Sequence, residues 1–321
     1  MRAAVHASYG PPDVVRIAEV DKPTPQEGEL LVKVHATTVN RTDCGFRAAH
    51  PFFARLFTGL LRPRQTVLGC EFAGQVEAVG GGATAFQVGD RVFGFSGDRF
   101  GAHAEYLTIP ADGSVATIPA NLTYEQAAPG TEGAHYALTG IRGAKVQRRQ
   151  DVLVYGATGA IGSAAVQLLK AIGANVTAVC ATEHLELVRG LGADRVIDYT
   201  AEDFTKDQQA YDVVHDAVGK TSFFRCRRLL KPHGIYLSSD LGPLSQNPVL
   251  VLVTPMLGRR KVVFPLPKRD PEVMRYLEGL LESGAFKPAI DRRYPFDQIV
   301  EAYRYVETGR KVGNVVISVV P

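Results

Sequence analysis

The chain has 321 residues, with 36 Lys plus Arg against 33 Asp plus Glu and a formal net charge of +3. So small a surplus, with no dense basic block, leaves no footprint for tight nucleic-acid binding. At 45% hydrophobic and 21% charged residues the sequence can bury a sizeable core and excludes wholesale disorder; at a typical ~150 residues per domain its length suggests about two domains. Cys44, Cys70, Cys180 and Cys226 are too few and too scattered for a disulfide framework, and with no CxxC pair they exclude a closed Cys-rich zinc site. A reducing compartment suits them. Met1 opens onto strand-like sequence without a basic-then-apolar leader. The long uncharged stretch 152–169 is interrupted by glycines and reads as strand, turn and helix, not as a membrane span. The expectation is a cytoplasmic protein with no membrane and no nucleic-acid partner.

In chain order, the first ~120 residues are β-patterned. Leu30–Val39 is rich in β-branched residues, and Gln75–Val79 and Arg91–Phe95 are short strand candidates among clustered glycines. Such a texture predicts a barrel-like β domain. Thr123 and Gln126 form a capping-box pattern that starts a helix. From Asp151 the pattern alternates. Strands are predicted at Val152–Tyr155, Asn175–Cys180, Arg195–Tyr199, Asp212–Asp216 and Gly234–Ser238, with helices after the first two. Alternation of this kind builds a parallel sheet from βαβ units. Asp270-Pro271 begins a helix ended by Gly284, a second helix runs over about 297–308, and Asn314–Val320 is a final strand that returns to the first domain. The expected domains are 1–121 with 285–321, split around a dinucleotide-binding domain at 122–284.

The strongest motif is Gly156-Ala-Thr-Gly159-Ala-Ile-Gly162, which follows an apolar strand and opens a helix. Glycines are needed there because a pyrophosphate must approach backbone N–H groups closely at a helix N-terminus. Readers of NAD usually carry an acid at the tip of the second strand. Here that tip reads Cys180-Ala181-Thr182, and Glu183 comes slightly late. Glu183 is either a ribose contact or a helix N-terminal charge favoured by the dipole.

Several further segments join this loop: Val39-Asn-Arg-Thr-Asp43, Leu68-Gly-Cys-Glu71-Phe-Ala-Gly74-Gln-Val76, Val88-Gly-Asp90-Arg-Val92, Leu191-Gly-Ala-Asp194, Val196-Ile-Asp-Tyr199 and Lys311-Val-Gly313-Asn-Val-Val-Ile317. With them the sequence resembles the medium-chain dehydrogenase/reductase superfamily, in its zinc-free quinone oxidoreductase and enone reductase branch, over nearly the whole chain. The resemblance implies an α/β protein: a Rossmann doubly wound parallel sheet domain plus a GroES-like β-barrel domain. Zinc-dependent relatives place ligands where this chain has Asn40, Cys70 and a position near Pro129, so no zinc is expected. Cys70 then reads as a packed residue and Glu71 as structural.

The resemblance also implies the cofactor contacts. The loop would supply Gly156, Thr158, Gly159, Ala160, Ile161 and Gly162. Relatives that use NADP surround its 2′-phosphate with groups matching His184, Tyr199 and Arg310 or Lys311. Thr182, Ala217, Val218, Ser238 and Asn314 complete the expected set. With no acid at the second-strand tip, NADPH is expected over NADH. A metal-free site favours conjugated acceptors, quinones or α,β-unsaturated carbonyls, whose delocalised negative charge needs only hydrogen-bond donors. Asn40 is the leading donor and Asp43 an orienting residue; His135 is a further donor or a satisfied core histidine, and Arg47 is read as structural. Relatives carry a tyrosine near Cys44 or Gly45 and a threonine at Gly133, and this chain does not. The segment 48–64, with Phe52, Phe53, Leu56, Phe57, Leu60 and Leu61, is either core or an apolar substrate lid. A homodimer paired through the edge at Lys261–Pro265 is expected. The alternatives are a zinc-independent alcohol dehydrogenase and a non-catalytic NADPH-binding protein.

Overall fold

The β-branched run near residue 30 forms the strand Glu29–Val39, whose alternate side chains enter the first core. In the computed structural model, which describes residues 1–52, 55–267 and 270–320, this strand is the hub of a seven-stranded sheet. It pairs antiparallel with Glu71–Val79, with Tyr106–Pro110 and with the C-terminal strand Asn314–Ser318. Arg91–Phe95 and Val115–Thr117 extend the sheet beyond Glu71–Val79, and Ile290–Pro295 adds a parallel edge to the C-terminal strand. Arg2–His6 and Val15–Glu19 form a separate antiparallel pair.

The chain divides into two units: Met1–Glu132 with Lys268–Gly284 and Pro288–Pro321, and Gly133–Pro267 with Ala285–Lys287. The return of the C-terminus to the first unit follows from the pairing of Asn314–Ser318 with Glu29–Val39. The division is not the expected one at 122–132 and 268–284, which fall in the first unit. The helix Pro271–Glu282 is capped by Asp270 and buries Val273, Met274, Leu277 and Leu281. Leu281 lies against Gly130, and Asp270 N–H donates to Ser114 Oγ, so the apolar stripe of this helix is satisfied within the first unit.

The second unit holds six parallel strands. Across the sheet they run Arg195–Asp198, Asn175–Cys180, Asp151–Tyr155, Tyr211–Asp216, Leu230–Ser238 and Lys261–Val263. In chain order within the unit this is 3-2-1-4-5-6, the doubly wound order whose reversal point lies beside the first strand. Among the described residues Lys261–Val263 pairs on one side only, with Leu230–Ser238, and is an edge.

The helical segment Arg55–Thr58 follows the residue pair 53–54, so Phe53 lies outside the described residues. Phe52, Leu56, Leu60 and Leu61 are 72%, 67%, 62% and 86% exposed, which overturns the core reading for these four. Among the described residues no helix is long and apolar enough to cross a membrane.

Candidate functional site

The predicted glycine loop joins Asp151–Tyr155 to the helix Ala160–Ile172, on the strand beside the reversal point. Gly156 has φ +80°, in the left-handed region, and a Cβ there would meet Val218 Cγ1 at 2.4 Å. A Cβ on Gly162 would lie 2.1 Å from the Gly156 carbonyl oxygen. Gly159 is the N-cap, and no side chain caps this helix, which leaves its first-turn N–H groups for a ligand. Thr158, Gly159, Ala160 and Ile161 are half-buried and Gly162 is buried. This cradle, with no room for a Cβ at Gly156 or Gly162 and lined by first-turn N–H groups that no side chain caps, fits a dinucleotide pyrophosphate. Gly133 explains one departure from relatives: a Cβ there would stand 2.8 Å from the backbone C and O of Ala160, so no threonine fits.

Beside the loop, Ala217 and Val218 follow the buried carboxylate of Asp216, which accepts from the N–H groups of Val218, Gly219 and Thr221 and from Tyr236 Oη. Burial raises the pKa of Asp216 while these donors oppose the rise. No local sequence signal marks this carboxylate, whose role appears only in the turn geometry. Ser238 is buried and its hydroxyl bonds the Asp240 carbonyl at 3.0 Å.

The tip of Asn175–Cys180 corrects the premise that no acid lies there. Asp198, at the end of the adjacent strand, is in register with Cys180. Its Oδ2 accepts from Thr182 Oγ1 at 2.6 Å, and its Oδ1 accepts from Thr200 Oγ1 at 2.6 Å and Thr200 N–H at 2.9 Å. The hydroxyls of Thr182 and Thr200 hold this carboxyl below its usual range. A parallel register carries strand ends to one level, a signal that a search along the linear sequence does not contain. Tyr199 is 51% exposed, and His184 faces Glu183, with Nε2 3.1 Å from Oε1.

In the first unit the expected donor Asn40 is buried as the N-cap of the helix Arg41–Ala48. Asn40 Oδ1 accepts from Asp43 N–H, and Asn40 Nδ2 donates to Cys70 Sγ at 3.3 Å. Asp43 accepts from Asn40 N–H and Gly69 N–H, each at 3.0 Å, and burial pushes its pKa up to about 7. Burial also lifts the Cys70 thiol well above its usual range and Cys44 to about 12, so neither is a thiolate. Arg47 is fully buried, paired with Glu307 and set over the Tyr303 ring. His135 is buried in the helix Glu132–Gly143.

Behind Asn40 lies a carboxylate cluster that sequence reasoning did not assemble. Glu71 accepts from Thr38 Oγ1, Thr131 Oγ1, Thr131 N–H and Glu132 N–H. Glu132 accepts from Thr42 Oγ1. Lys311 lies in the field of Glu132 and Glu71; desolvation lowers its pKa and both carboxylates oppose the fall. Its Nζ donates to the Gly313 carbonyl at 2.6 Å. The ammonium expected at a phosphate is thus bonded to a backbone carbonyl in the field of two carboxylates, whereas Arg310 is exposed. Asn314 is buried, with Nδ2 donating to Ala289 O at 3.0 Å. Among the described residues no group of three or more His, Cys, Asp or Glu is arranged to hold a metal ion.

A glycine-cradled 3-2-1-4-5-6 sheet in one unit and a split β domain in the other define a two-domain dinucleotide-binding architecture. Residues 26–120 match the family model "Alcohol dehydrogenase GroES-like domain", and residues 191–317 match "Zinc-binding dehydrogenase". The chain is 33% identical to 2-methylene-furan-3-one reductase of Solanum lycopersicum over 100% of this chain and 80% of that protein. It is 31% identical to the chloroplastic NADPH-dependent alkenal/one oxidoreductase of Arabidopsis thaliana, again over 100% and 80%. The solved structure of the quinone oxidoreductase from Coxiella burnetii superposes with TM-score 0.89 at 27% identity, covering 100% of this chain and 99% of that one. The chain belongs to the medium-chain dehydrogenase/reductase superfamily, in its zinc-free quinone oxidoreductase branch.

Proposed function

We propose that this protein is a zinc-independent, NADPH-dependent oxidoreductase that transfers hydride to a quinone or an α,β-unsaturated carbonyl. The observation that carries the reading is the Gly156–Gly162 cradle, where neither Gly156 nor Gly162 has room for a Cβ and the helix N-terminus has no side-chain cap. Bound there, a reduced nicotinamide dinucleotide would supply the hydride. The chain's own residues bind and orient: first-turn N–H groups of Ala160–Ile172 hold the pyrophosphate, and the turn fixed by Asp216 positions Ala217 and Val218 against it.

For the acceptor, Asn40 retains one amide N–H beyond its bond to Cys70, and Thr42 offers a half-buried hydroxyl. Neutral donors of this kind suit delocalised charge on an enolate or a hydroquinone anion more than the localised alkoxide of a simple ketone. The exposed apolar side chains of Phe52, Leu56, Leu60 and Leu61 suit a hydrophobic acceptor.

NADPH is our assignment because a relative that the chain matches over 80% of that protein's length is an NADPH-dependent alkenal/one oxidoreductase, and because the oxygens of Asp198 are already engaged by Thr182 and Thr200. Tyr199 and Arg310, both exposed, remain open to the adenosine phosphate. Four unpaired buried thiols fit a reducing cytoplasm. The single-sided edge strand Lys261–Val263 supports a homodimer.

The test is cofactor oxidation with NADPH and NADH against a para-quinone, an α,β-unsaturated ketone and a saturated ketone with its alcohol. Reduction of the conjugated acceptors alone is expected. Turnover confined to the ketone–alcohol pair would make the protein a zinc-independent alcohol dehydrogenase, and cofactor binding without turnover would make it a non-catalytic binder.

A further inference from the structure

A cavity of about 630 Å³ lies wholly within the second unit. The strands Tyr211–Asp216, Leu230–Ser238 and Lys261–Val263 follow one another across the sheet, so two right-handed crossovers lay their helices side by side on one face. The first crossover helix, Phe223–Cys226, has four residues and the second, Gln246–Leu257, has twelve. The short helix cannot cover the sheet beside the long one, and the cavity opens between them. Pro232, in its lining, is the third residue of Leu230–Ser238, and Arg260 directly precedes Lys261–Val263, so the cavity reaches the amino ends of these parallel strands. The Gly156–Gly162 cradle stands at the carboxyl end of Asp151–Tyr155, where dinucleotides bind such sheets. The cavity is therefore a separate place.

Its lining has two chemical sides. Phe223, Phe224, Pro232 and Leu250 form the apolar one. Phe223 is buried, and its ring centroid is 5.5 Å from that of Phe224, which is 63% exposed. Arg227, Arg259 and Arg260 form the other side, and among the described residues no carboxylate pairs with any of them. Residues 217–267 hold eight Lys or Arg and a single acid, Asp240, which follows the far end of Leu230–Ser238. A cleft lined by charge of one sign between low-dielectric walls concentrates the opposite ion. Arg260 is fixed by its Nε, which donates to Leu230 O at 2.9 Å and leaves the terminal amino groups as donors. The hydroxyl of Thr254 is taken up: it donates to Leu250 O at 2.7 Å and accepts from Val262 N–H at 3.0 Å. No neutral polar side chain of the lining is left to read a sugar or a base, so the uncharged part of a ligand here is apolar.

We propose that this cavity binds a long-chain acyl carboxylate, its chain against Phe223, Phe224, Pro232 and Leu250 and its head facing Arg227, Arg259 and Arg260. Guanidinium forks match a carboxylate in charge and in geometry. The volume falls within the ~300–1,000 Å³ of small-ligand pockets. Leu250 and Thr254, four residues apart, share one face of the helix Gln246–Leu257, and the exposed Val249, Leu252 and Met256 lie on another. A second copy seated on those three residues takes the other side of the helix. The inference stands apart from the identity of the hydride acceptor.

The test is calorimetric titration of the full chain with dodecanoate below its micellar concentration, and with dodecanol, inorganic phosphate and AMP. The proteins are wild type, Arg227→Ala, Arg259→Ala, the double variant, Phe224→Ser and Arg225→Ala, each with a melting curve to verify the fold. Dodecanoate should bind at one site per chain, equally with and without saturating NADPH. Each single arginine variant should weaken it about threefold, and the double variant at least about tenfold. Phe224→Ser should weaken it several-fold. Arg225→Ala removes the same charge outside the lining and should leave the affinity unchanged. Equal affinity for dodecanol would overturn the proposal, since the arginines would then not hold the head. So would displacement by NADPH, which would put the acyl chain in the cofactor cradle. Binding of phosphate or AMP without dodecanoate would replace it with a simple anion site. A double variant that loses its dimer mass in light scattering, with dodecanoate affinity unchanged, would assign the arginines to the contact between copies instead.

Discussion

Asn40 and Asp43 cap each other: Asn40 Oδ1 accepts Asp43 N–H, Asp43 Oδ2 accepts Asn40 N–H, and the second Asp43 oxygen reaches across to Gly69 N–H, each at 3.0 Å. One carboxyl thereby fixes the start of a helix and the approach to Cys70. Removing it in Asp43→Ala leaves two buried N–H groups unpaired and should destabilise the protein by about 2–4 kcal/mol. Denaturant unfolding measures this, and NADPH affinity should persist in the folded fraction. A loss below about 0.5 kcal/mol would show that the capping box contributes little.

The Gly162 position is a steric limit. In Gly162→Ala a methyl would stand 2.1 Å from the Gly156 carbonyl oxygen, a backbone atom, so the loop itself must move. NADPH affinity should fall at least about tenfold, equivalent to about 1.4 kcal/mol. Fluorescence titration reads the affinity, with a melting curve to verify the fold; unaltered binding would place the pyrophosphate elsewhere.

Asp198 keeps a negative charge at the tip of the second strand, where a 2′-phosphate would sit. In Asp198→Asn the ratio of NADH to NADPH dissociation constants should rise several-fold, through tighter NADPH binding. Thr200 can still donate to the amide oxygen while the amide N–H donates to Thr182 Oγ1, so thermal stability should change little. A shift of preference toward NADH would mean that Asp198 does not face the phosphate.

His103 is buried, with Nε2–H donating to the Thr38 carbonyl at 2.8 Å and Nδ1 accepting from Tyr303 Oη at 3.1 Å. Burial lowers its pKa to about 4 from 6.5. The unfolded chain takes up the proton near pH 6.5 and the folded one only near 4, so this histidine's contribution is present above 6.5 and lost as pH falls between these values. The shift corresponds to about 3 kcal/mol. NMR titration should find the His103 ring neutral at pH 5.5 in its Nε2–H tautomer; a midpoint near 6.5 would remove this source of acid lability.

The edge strand Lys261–Val263 and the exposed Val249, Leu252 and Met256 of the preceding helix Gln246–Leu257 offer one continuous surface for a second copy. Light scattering at micromolar concentration should give about twice 34.7 kDa, and Leu252→Glu should shift it toward the single-chain mass. A wild-type mass of one chain would exclude the dimer.

The sequence by itself determined what depends on local spacing. The glycines at 156, 159 and 162 mark a strand–turn–helix cradle, and at Gly156 and Gly162 close approach tolerates no Cβ. Capping signals at Thr123 and Asp270 placed helix starts, since a cap is a bond between residues two or three apart. Periodicity likewise placed the strands of the parallel sheet to within a few residues. Tertiary structure alone decided the rest, because it concerns groups distant in the chain. Asp198 meets Thr182 only through parallel register. The helix Pro271–Glu282 joins the first unit because its apolar face is buried there against residues near Gly130. Glu132 comes within reach of Thr42 and Glu71 and into the field of Lys311 from four separate stretches of chain, and the rise of its pKa is a property of that desolvated neighbourhood. Burial and the balance of charge and donors around a group are sums over space, and no linear spacing encodes them.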